Sequence, residues 1–170
     1  EKSGIPAAWT LLGLSAMPTD HPLNVGMVGM HGNYGPNVLT NECDVLIALG
    51  MRFDDRVTGN LATYAKQAKV IHFEIDSAEV DKNVKTTVAV LADLKESLTA
   101  LLPLIEKNSH ESWHNEFKEK YKIELEAVIN DELKPKKEGI SMGETIEMIN
   151  KHSKGDAIMV SDVGQHQMFT

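Results

Sequence analysis

Through residues 1–106, short apolar runs alternate with helical stretches, and this alternation restricts the chain more than any other feature. Three runs are clear: Asp44 to Leu49, Val70 to Ile75 and Val88 to Leu91. They are almost wholly apolar, as expected of strands covered on both faces. Strands separated by helices imply an α/β fold with a parallel sheet flanked by helices. Two weaker runs, Ile5 to Leu11 and Asn24 to Val28, fit the same grammar. The first contains Ala7-Ala8, so periodicity alone leaves strand or helix open there. Helices are predicted at Asn33 to Glu42, at Gly59 to Ala68 and at Asp93 to Glu106. The last has Leu94, Leu98, Leu101, Leu102 and Ile105 at helical spacing and Asp93 as a natural N-cap.

Beyond Glu106 the character changes. Charges dominate residues 107–134, and Trp113, Phe117, Tyr121, Leu125, Val128 and Ile129 form one stripe, which predicts a long amphipathic helix. Lys134-Pro135-Lys136-Lys137-Glu138-Gly139 reads as a linker whose lysines are solvated. Ser141-Met142-Gly143-Glu144 matches a capping box, predicting a helix to about Lys151. A strand is then expected at Ala157 to Val160, ending in Ser161-Asp162-Val163-Gly164. The chain thus divides into an α/β domain at 1–106, a connector at 107–140 and the beginning of a second α/β domain at 141–170. Its 170 residues suit that extent.

Charge and cysteine usage exclude some classes. With 17 basic and 25 acidic residues the formal charge is −8, which argues against nucleic acid or an anionic membrane as partner. Cys43 is the single cysteine, so no disulfide forms within the chain and a reducing compartment fits best. No run approaches the roughly 18 apolar residues of a membrane span, and no basic and apolar leader opens the sequence. The chain starts at Glu1-Lys2 without methionine and stops at Phe169-Thr170 without a closing signal, so a piece of something longer is expected.

In open parallel sheets, ligands bind outside the carboxyl ends of the strands. Here those ends are rich in glycine and charge. Gly26, Gly29, Gly32 and Gly35 would let backbone amides approach a phosphate. They do not match G-x-G-x-x-G, and tight loop formation explains them equally well. Arg52 and Arg56 offer paired donors for a pyrophosphate or carboxylate, or else local ion pairs to Asp54 and Asp55. Glu74 would accept from ribose hydroxyls or stand as a solvated strand-end carboxylate. His31 would touch a ligand ring or cap its loop. Cys43 begins a buried strand and reads as an inert core thiol. Gly164-Gln165-His166-Gln167 is either a phosphate-receiving turn or an ordinary one. His110-Glu111-Ser112-Trp113-His114 matches H-E-x-x-H, but it opens a highly charged helix with no third ligand nearby, and a zinc site is set aside.

Several of these stretches together resemble the large, catalytic subunits of the acetolactate synthase (acetohydroxyacid synthase) family of thiamine-diphosphate-dependent enzymes. They are Gly4-Ile5-Pro6 through Thr10-Leu11-Leu12-Gly13, Gly29-Met30-His31-Gly32, Gly50-Met51-Arg52-Phe53-Asp54-Asp55-Arg56-Val57-Thr58-Gly59, Ile75-Asp76-Ser77-Ala78-Glu79 and Val163-Gly164-Gln165-His166-Gln167-Met168. They occur in family order; residues 107–140 match only loosely. Members of this family decarboxylate pyruvate and join the two-carbon unit to pyruvate or 2-oxobutyrate, in branched-chain amino acid biosynthesis. Their cofactors are thiamine diphosphate, magnesium and a largely structural FAD.

The resemblance implies roles position by position. Thr10, Leu11 and Leu12 would contact the flavin region, and Met30, His31 and Gly32 would lie along the FAD. Gly50, Met51, Arg52 and Val57 would approach its ribityl and pyrophosphate part. Glu74, Ile75, Asp93 and Leu94 would contact the adenosine end; many members have Asp where this chain has Glu74. Met30, Asp55 and Arg56 would stand at the substrate channel, Arg56 suiting a 2-oxo acid carboxylate. Val163, Gly164, Gln165 and His166 would meet the diphosphate of thiamine diphosphate. Phe169 stands where many members have Trp.

On this resemblance residues 1–106 are most of a middle, FAD-binding-type domain lacking its first strand, and Ile5 to Leu11 is a strand. Residues 141–170 begin the thiamine-diphosphate domain. No metal ligand falls within the chain, nor does the glutamate that activates the thiamine ring or the Gly-Asp-Gly…Asn segment that holds magnesium. The 170 residues alone are therefore expected to be inactive, and flavin binding by them is doubtful. A homo-oligomeric parent follows, with a small regulatory subunit as a further partner and a cytoplasmic location in bacteria or an organellar one in eukaryotes. The alternatives are a self-contained nucleotide-binding module, or the middle domain of another thiamine-diphosphate-dependent carboligase or decarboxylase. Asp54-Asp55-Arg56 speaks against the second.

Overall fold

The computed structural model describes residues 1–134 and 138–169. The expected linker therefore lies in part outside the described residues, at Pro135, Lys136 and Lys137. The chain forms two compact units, Glu1–Glu119 and Lys120–Thr170.

In the first unit every strand pairing is parallel. β1 (Ala7–Trp9) pairs with β2 (Asn24–Met27), which settles Ile5 to Leu11 in favour of a strand. Ala7 faces Asn24 and Trp9 faces Met27, so β2 carries one extra residue. Gly26 takes up that bulge at φ +104°, its amide bound to the Asn24 side chain at 2.9 Å. The second sheet has the order β3 (Val45–Leu49), β4 (Lys69–Glu74), β5 (Val88–Leu91). Its register sets Ile47 beside Ile71 and Leu49 beside Phe73. The parallel sheet and flanking helices predicted above are present, divided between these two sheets.

The helices follow the patterns with two exceptions. α1 (Tyr34–Glu42) links β2 to β3, and α3 (Leu94–Leu101) follows β5. Asp93 caps α3 as predicted, accepting from the Glu96 amide at 3.1 Å. Pro103 tightens the end of that helix into a 3₁₀ turn, Leu102–Leu104. The helix predicted at Gly59 to Ala68 does not form; turns replace it, after the short α2 (Asp55–Thr58). Asn41 draws the Ala65 amide away at 2.9 Å and accepts from Gln67, while Ala65 adopts φ +40°. A helix would need that amide for itself. The charged stretch becomes helical only at α4 (Glu111–Glu124), because the Asn108 amide is bound to the Lys2 carbonyl at 3.1 Å. A wide π turn, Leu125–Ile129, joins α4 to α5 (Asn130–Leu133). Trp113 and Phe117, on the predicted stripe, stack with ring centroids 6.4 Å apart.

The core of the first unit is Ala48, Phe53, Tyr64, Ala65 and Val70, with Leu46, Met51 and Val84 packed against it. The expectation of strands covered on both faces is corrected at β3. Its alternate residues Val45, Ile47 and Leu49 are 41%, 39% and 46% exposed, because the core-forming side chains pack on the Leu46 and Ala48 face.

Burial, with a smaller contribution from the Cys43 thiolate, pushes the Tyr64 phenol up to about 12. The folded chain thus keeps this proton where the unfolded chain loses it. Stability is unaffected well below pH 10 and falls as pH rises from there through about 12. In an ultraviolet titration one of the three tyrosines is expected to ionise late, and Tyr64→Phe is expected to remove that step. Simultaneous ionisation of all three in a chain still folded by circular dichroism would contradict this.

In the second unit Ser141 caps α6 (Met142–Ser153) as predicted, accepting from the Glu144 amide at 3.0 Å while its hydroxyl donates to the Glu132 carbonyl. Lys154 closes that helix at φ +55°. α7 (Gln165–Phe169) ends the described chain. A cavity of about 470 Å³ lies in this unit, lined by Ile129, Leu133, Ile146 and Phe169 among others. The strand predicted at Ala157 to Val160 is not formed: the segment pairs with no neighbouring strand among the described residues, and Ile158 and Val160 are 93% and 91% exposed. Extended backbone becomes a strand only where another strand accepts its hydrogen bonds.

Candidate functional site

Because all strands of the first unit run parallel within their sheets, the loops after β1, β2, β3, β4 and β5 carry the sequence-predicted residues at strand carboxyl ends. Val28 continues the first sheet by donating to the Trp9 carbonyl at 2.9 Å, which sets Thr10 beside the start of the Gly29–Gly32 loop. Leu11 and Leu12, in a short 3₁₀ turn, are 50% and 89% exposed.

The Gly29–Gly32 loop is built against its own backbone. The Asn37 side chain clasps Gly29 twice, accepting from its amide at 2.8 Å and donating to its carbonyl at 2.9 Å. Gly32 donates to the Gly29 carbonyl at 2.9 Å, and Asn33 to the Met27 carbonyl at 2.8 Å. Met30 donates to the Arg56 carbonyl at 2.7 Å. A Cβ on Gly29 would lie 2.9 Å from that same Arg56 oxygen. Of the two readings of these glycines, close packing of the loop accounts for Gly29 and Gly32. Four of the amides that a phosphate would need are already used. Met30 and His31 remain exposed above the loop.

The loop after β3 begins at Gly50, φ +62°, whose amide extends the ladder to the Phe73 carbonyl at 2.8 Å. Met51 packs on the core. The exposed Arg52 pairs with the half-buried Asp54 at 3.3 Å, so the ion-pair reading holds for Arg52. Asp54 also caps α2, accepting from the Arg56 amide at 3.1 Å. The Arg56 guanidinium makes no ion pair among the described residues, and Asp55 beside it is exposed. Val57 lies against Gly29. The Met30–Arg56 backbone bond thus brings Met30, Asp55, Arg56 and Val57 into one neighbourhood, with an unpaired cation at its centre.

At the end of β4, Glu74 is 8% exposed, so it is not the solvated carboxylate considered above. One carboxylate oxygen accepts from its own Ile75 and Asp76 amides at 2.9 and 3.2 Å, and the other faces the His72 imidazole at 3.7 Å. Ile75 is largely exposed. Asp93 is occupied as the cap of α3, with Leu94 half-buried behind it. Burial pushes the Cys43 thiol up, consistent with an inert core cysteine.

His114 donates from Nε2 to the Gly4 carbonyl at 3.0 Å, seating the start of α4 on the N-terminal segment. Among the described residues no three His, Cys, Asp or Glu side chains gather as a metal site. In the second unit, Val163 is 85% exposed, its amide bound to Asp162 at 2.7 Å, and Gly164 leads directly into α7 with Gln165 and His166.

Sequence reasoning passed over Asn37, Asn83 and the buried pair Phe53 and His72. Asn37 could have been suspected, since an asparagine inside the first turns of a helix after a glycine-rich loop often bonds to that loop. The other three act across long sequence separations.

Residues 1–101 match the family model for the thiamine pyrophosphate enzyme, central domain. The chain is 45% identical over 99% of its length to the acetolactate synthase large subunit of Lactococcus lactis, covering 29% of that protein. It is 40% identical to the acetolactate synthase large subunit of Parasynechococcus marenigrum and 38% identical to acetolactate synthase 2, chloroplastic, of Zea mays. Each alignment covers 99% of this chain and 27% of the relative. The chain thus spans less than a third of the length of these curated relatives. With the family model matching more than half of its residues, and with parallel strands that carry the matched motifs on their carboxyl-end loops, the chain belongs to the thiamine pyrophosphate enzymes, its residues 1–101 matching their central domain.

Proposed function

We propose that the chain serves as the central segment of an acetolactate synthase large subunit, which decarboxylates pyruvate and condenses the two-carbon unit with pyruvate or 2-oxobutyrate. The observation that carries this reading is Arg56. Its guanidinium is exposed and unpaired among the described residues, and its own carbonyl ties it to the Met30 loop. An unpaired guanidinium on a backbone held in place is a bidentate receptor for a carboxylate, which every 2-oxo acid carries. Met30 and Asp55 flank it as the walls of the approach. The names of the relatives support the same activity.

FAD is assigned to the strand-end loops. The exposed Arg52 guanidinium pairs with Asp54 through one nitrogen and keeps further donors for an anionic nucleotide, and open space lies beside Gly50, where an added Cβ would meet nothing within 4 Å. Thr10, Leu11, Leu12, His31, Gly32, Met51, Val57, Ile75 and Leu94 would border it. Glu74 and Asp93 border it through backbone and shape, since their carboxylates are committed to local amides. Thiamine diphosphate, which supplies the carbanion chemistry when bound, is assigned to Val163, Gly164, Gln165 and His166. These residues stand at an exposed turn into a helix. No residue of this chain is assigned to magnesium. The domain reading stays as 1–106, 107–140 and 141–170. The parent is assigned to a homo-oligomer that takes a small regulatory subunit, acting in the cytoplasm of a bacterial-type cell.

The test is a product assay on the complete gene product that carries this segment. Thiamine-diphosphate-dependent acetolactate formation from pyruvate is expected. Turnover of a different 2-oxo acid with none of pyruvate would replace this reading with another carboligase or decarboxylase.

A further inference from the structure

Phe53 is the one buried residue in the loop between β3 and α2, and it holds an unfavourable backbone: φ is +53° at 2% exposure. Left-handed backbone is costly for a side chain of this size and persists only where surroundings enforce it. Two aromatic neighbours hold the ring edge-on, Tyr64 at 6.4 Å and His72 at 5.2 Å between centroids. His72 is fully buried, and neither of its ring nitrogens makes a hydrogen bond. Ring contacts fix the side chain but leave the following peptide free to rotate. That peptide is fixed by Asn83, thirty residues on, whose amide donates to the Phe53 carbonyl at 3.0 Å. The loop bearing Asn83 is itself closed where Asp81 accepts from the amide and hydroxyl of Thr86, both at 2.8 Å. The Thr86 amide holds the Asp81 carboxyl below its ordinary value.

We propose that Asn83 is a positioning residue: by fixing the Phe53 peptide it sets where Asp54 starts α2, and so where Arg56 points. The inference rests on the reading of Arg56 as the 2-oxo acid receptor. The linkage is continuous. Phe53 turns the chain, Asp54 caps α2 through the Arg56 amide, and the Arg56 carbonyl holds Met30. Asn83 is not among the residues assigned to ligand, so its effect travels only through this loop.

Two measurements test it. In hydrogen exchange on the chain, Asn83→Ala is expected to speed exchange of the Met30 amide about tenfold, the worth of one hydrogen bond at the upper end of its range. The His72 and Phe73 amides in β4 should keep their protection. In the complete gene product, the same variant is expected to raise KM for pyruvate about threefold to tenfold with kcat within about twofold. Asn83→Asp keeps the shape but lacks the donor and should match Asn83→Ala. Asn83→Gln, which keeps the amide, should lie nearer the parent. Unchanged Met30 exchange, or equal loosening of Met30 and β4, would overturn the proposal. So would an unchanged KM in Asn83→Ala where Arg56→Ala raises it, a result that leaves the reading of Arg56 intact. An unchanged KM in Arg56→Ala would remove that reading and the positioning role with it.

Discussion

The 170-residue chain, supplied with thiamine diphosphate, Mg²⁺, FAD and pyruvate, is expected to form no acetolactate above the protein-free blank. Enzymes of this kind accelerate their reactions by about 10⁶-fold or more, and that factor comes from a positioned cofactor. The residues assigned to thiamine diphosphate here, Val163 to His166, stand at a turn that runs into α7, with Val163 exposed and Gln165 and His166 already in the helix. The family resemblance leads one to expect the ring-activating carboxylate and the magnesium-holding segment outside these 170 residues. Arg56 can receive a carboxylate, but a receptor without the reacting group binds and does not turn over. The measurement is acetolactate by colorimetric assay after long incubation, with the complete gene product as positive control. Turnover that disappears when thiamine diphosphate is withheld would show that these residues assemble an active site after all.

The same comparison shows what the amino-acid pattern could reveal and what it could not. β3, β4 and β5 were legible because each is a dense apolar run of strand length; how far each is covered was not, since β5 has no buried residue. Asp93 and Ser141 were legible because capping depends on neighbours only three residues away. Gly59 to Ala68 was misread because its helical hydrogen bonds lose to Asn41, a competitor 24 residues earlier. Ala157 to Val160 has the composition of a strand, but a strand also needs a neighbour, and composition says nothing about that. At the site, the Arg52–Asp54 pair and the exposed Arg56 were within reach of local reading. The clasp of Asn37 on Gly29 and of Asn83 on Phe53 was not, since an asparagine looks the same whether it bonds to water or to a particular carbonyl.

Gly32→Ala is expected to destabilise the first unit strongly, and the reason separates two explanations of this glycine. Gly32 needs no left-handed backbone; what it lacks is room. An added Cβ would fall against the Met27 carbonyl oxygen, 2.7 Å from the Val28 carbonyl carbon and 2.9 Å from the Gly29 nitrogen. All three are backbone atoms and cannot rotate away as a side chain would. Moving the Met27 carbonyl breaks its bond from the Asn33 amide, and with it the reciprocal bond from the Met27 amide to the Asn33 side chain at 2.9 Å. Overpacking of this kind costs about 1–3 kcal/mol, which lowers Tm by roughly 2–12 °C for a chain of this size. Gly59→Ala is the comparison. That position has φ +56° with ψ −124° and nothing within 4 Å of an added Cβ, so it bears backbone strain alone, of about 1–3 kcal/mol. Thermal unfolding should place both variants below the parent, Gly32→Ala because backbone atoms stand where its Cβ would go and Gly59→Ala through strain alone. If Gly32 were small to admit a ligand phosphate, its alanine variant would fold as well as the parent and lose only flavin affinity. The two outcomes are distinguished by measuring Tm without any ligand present.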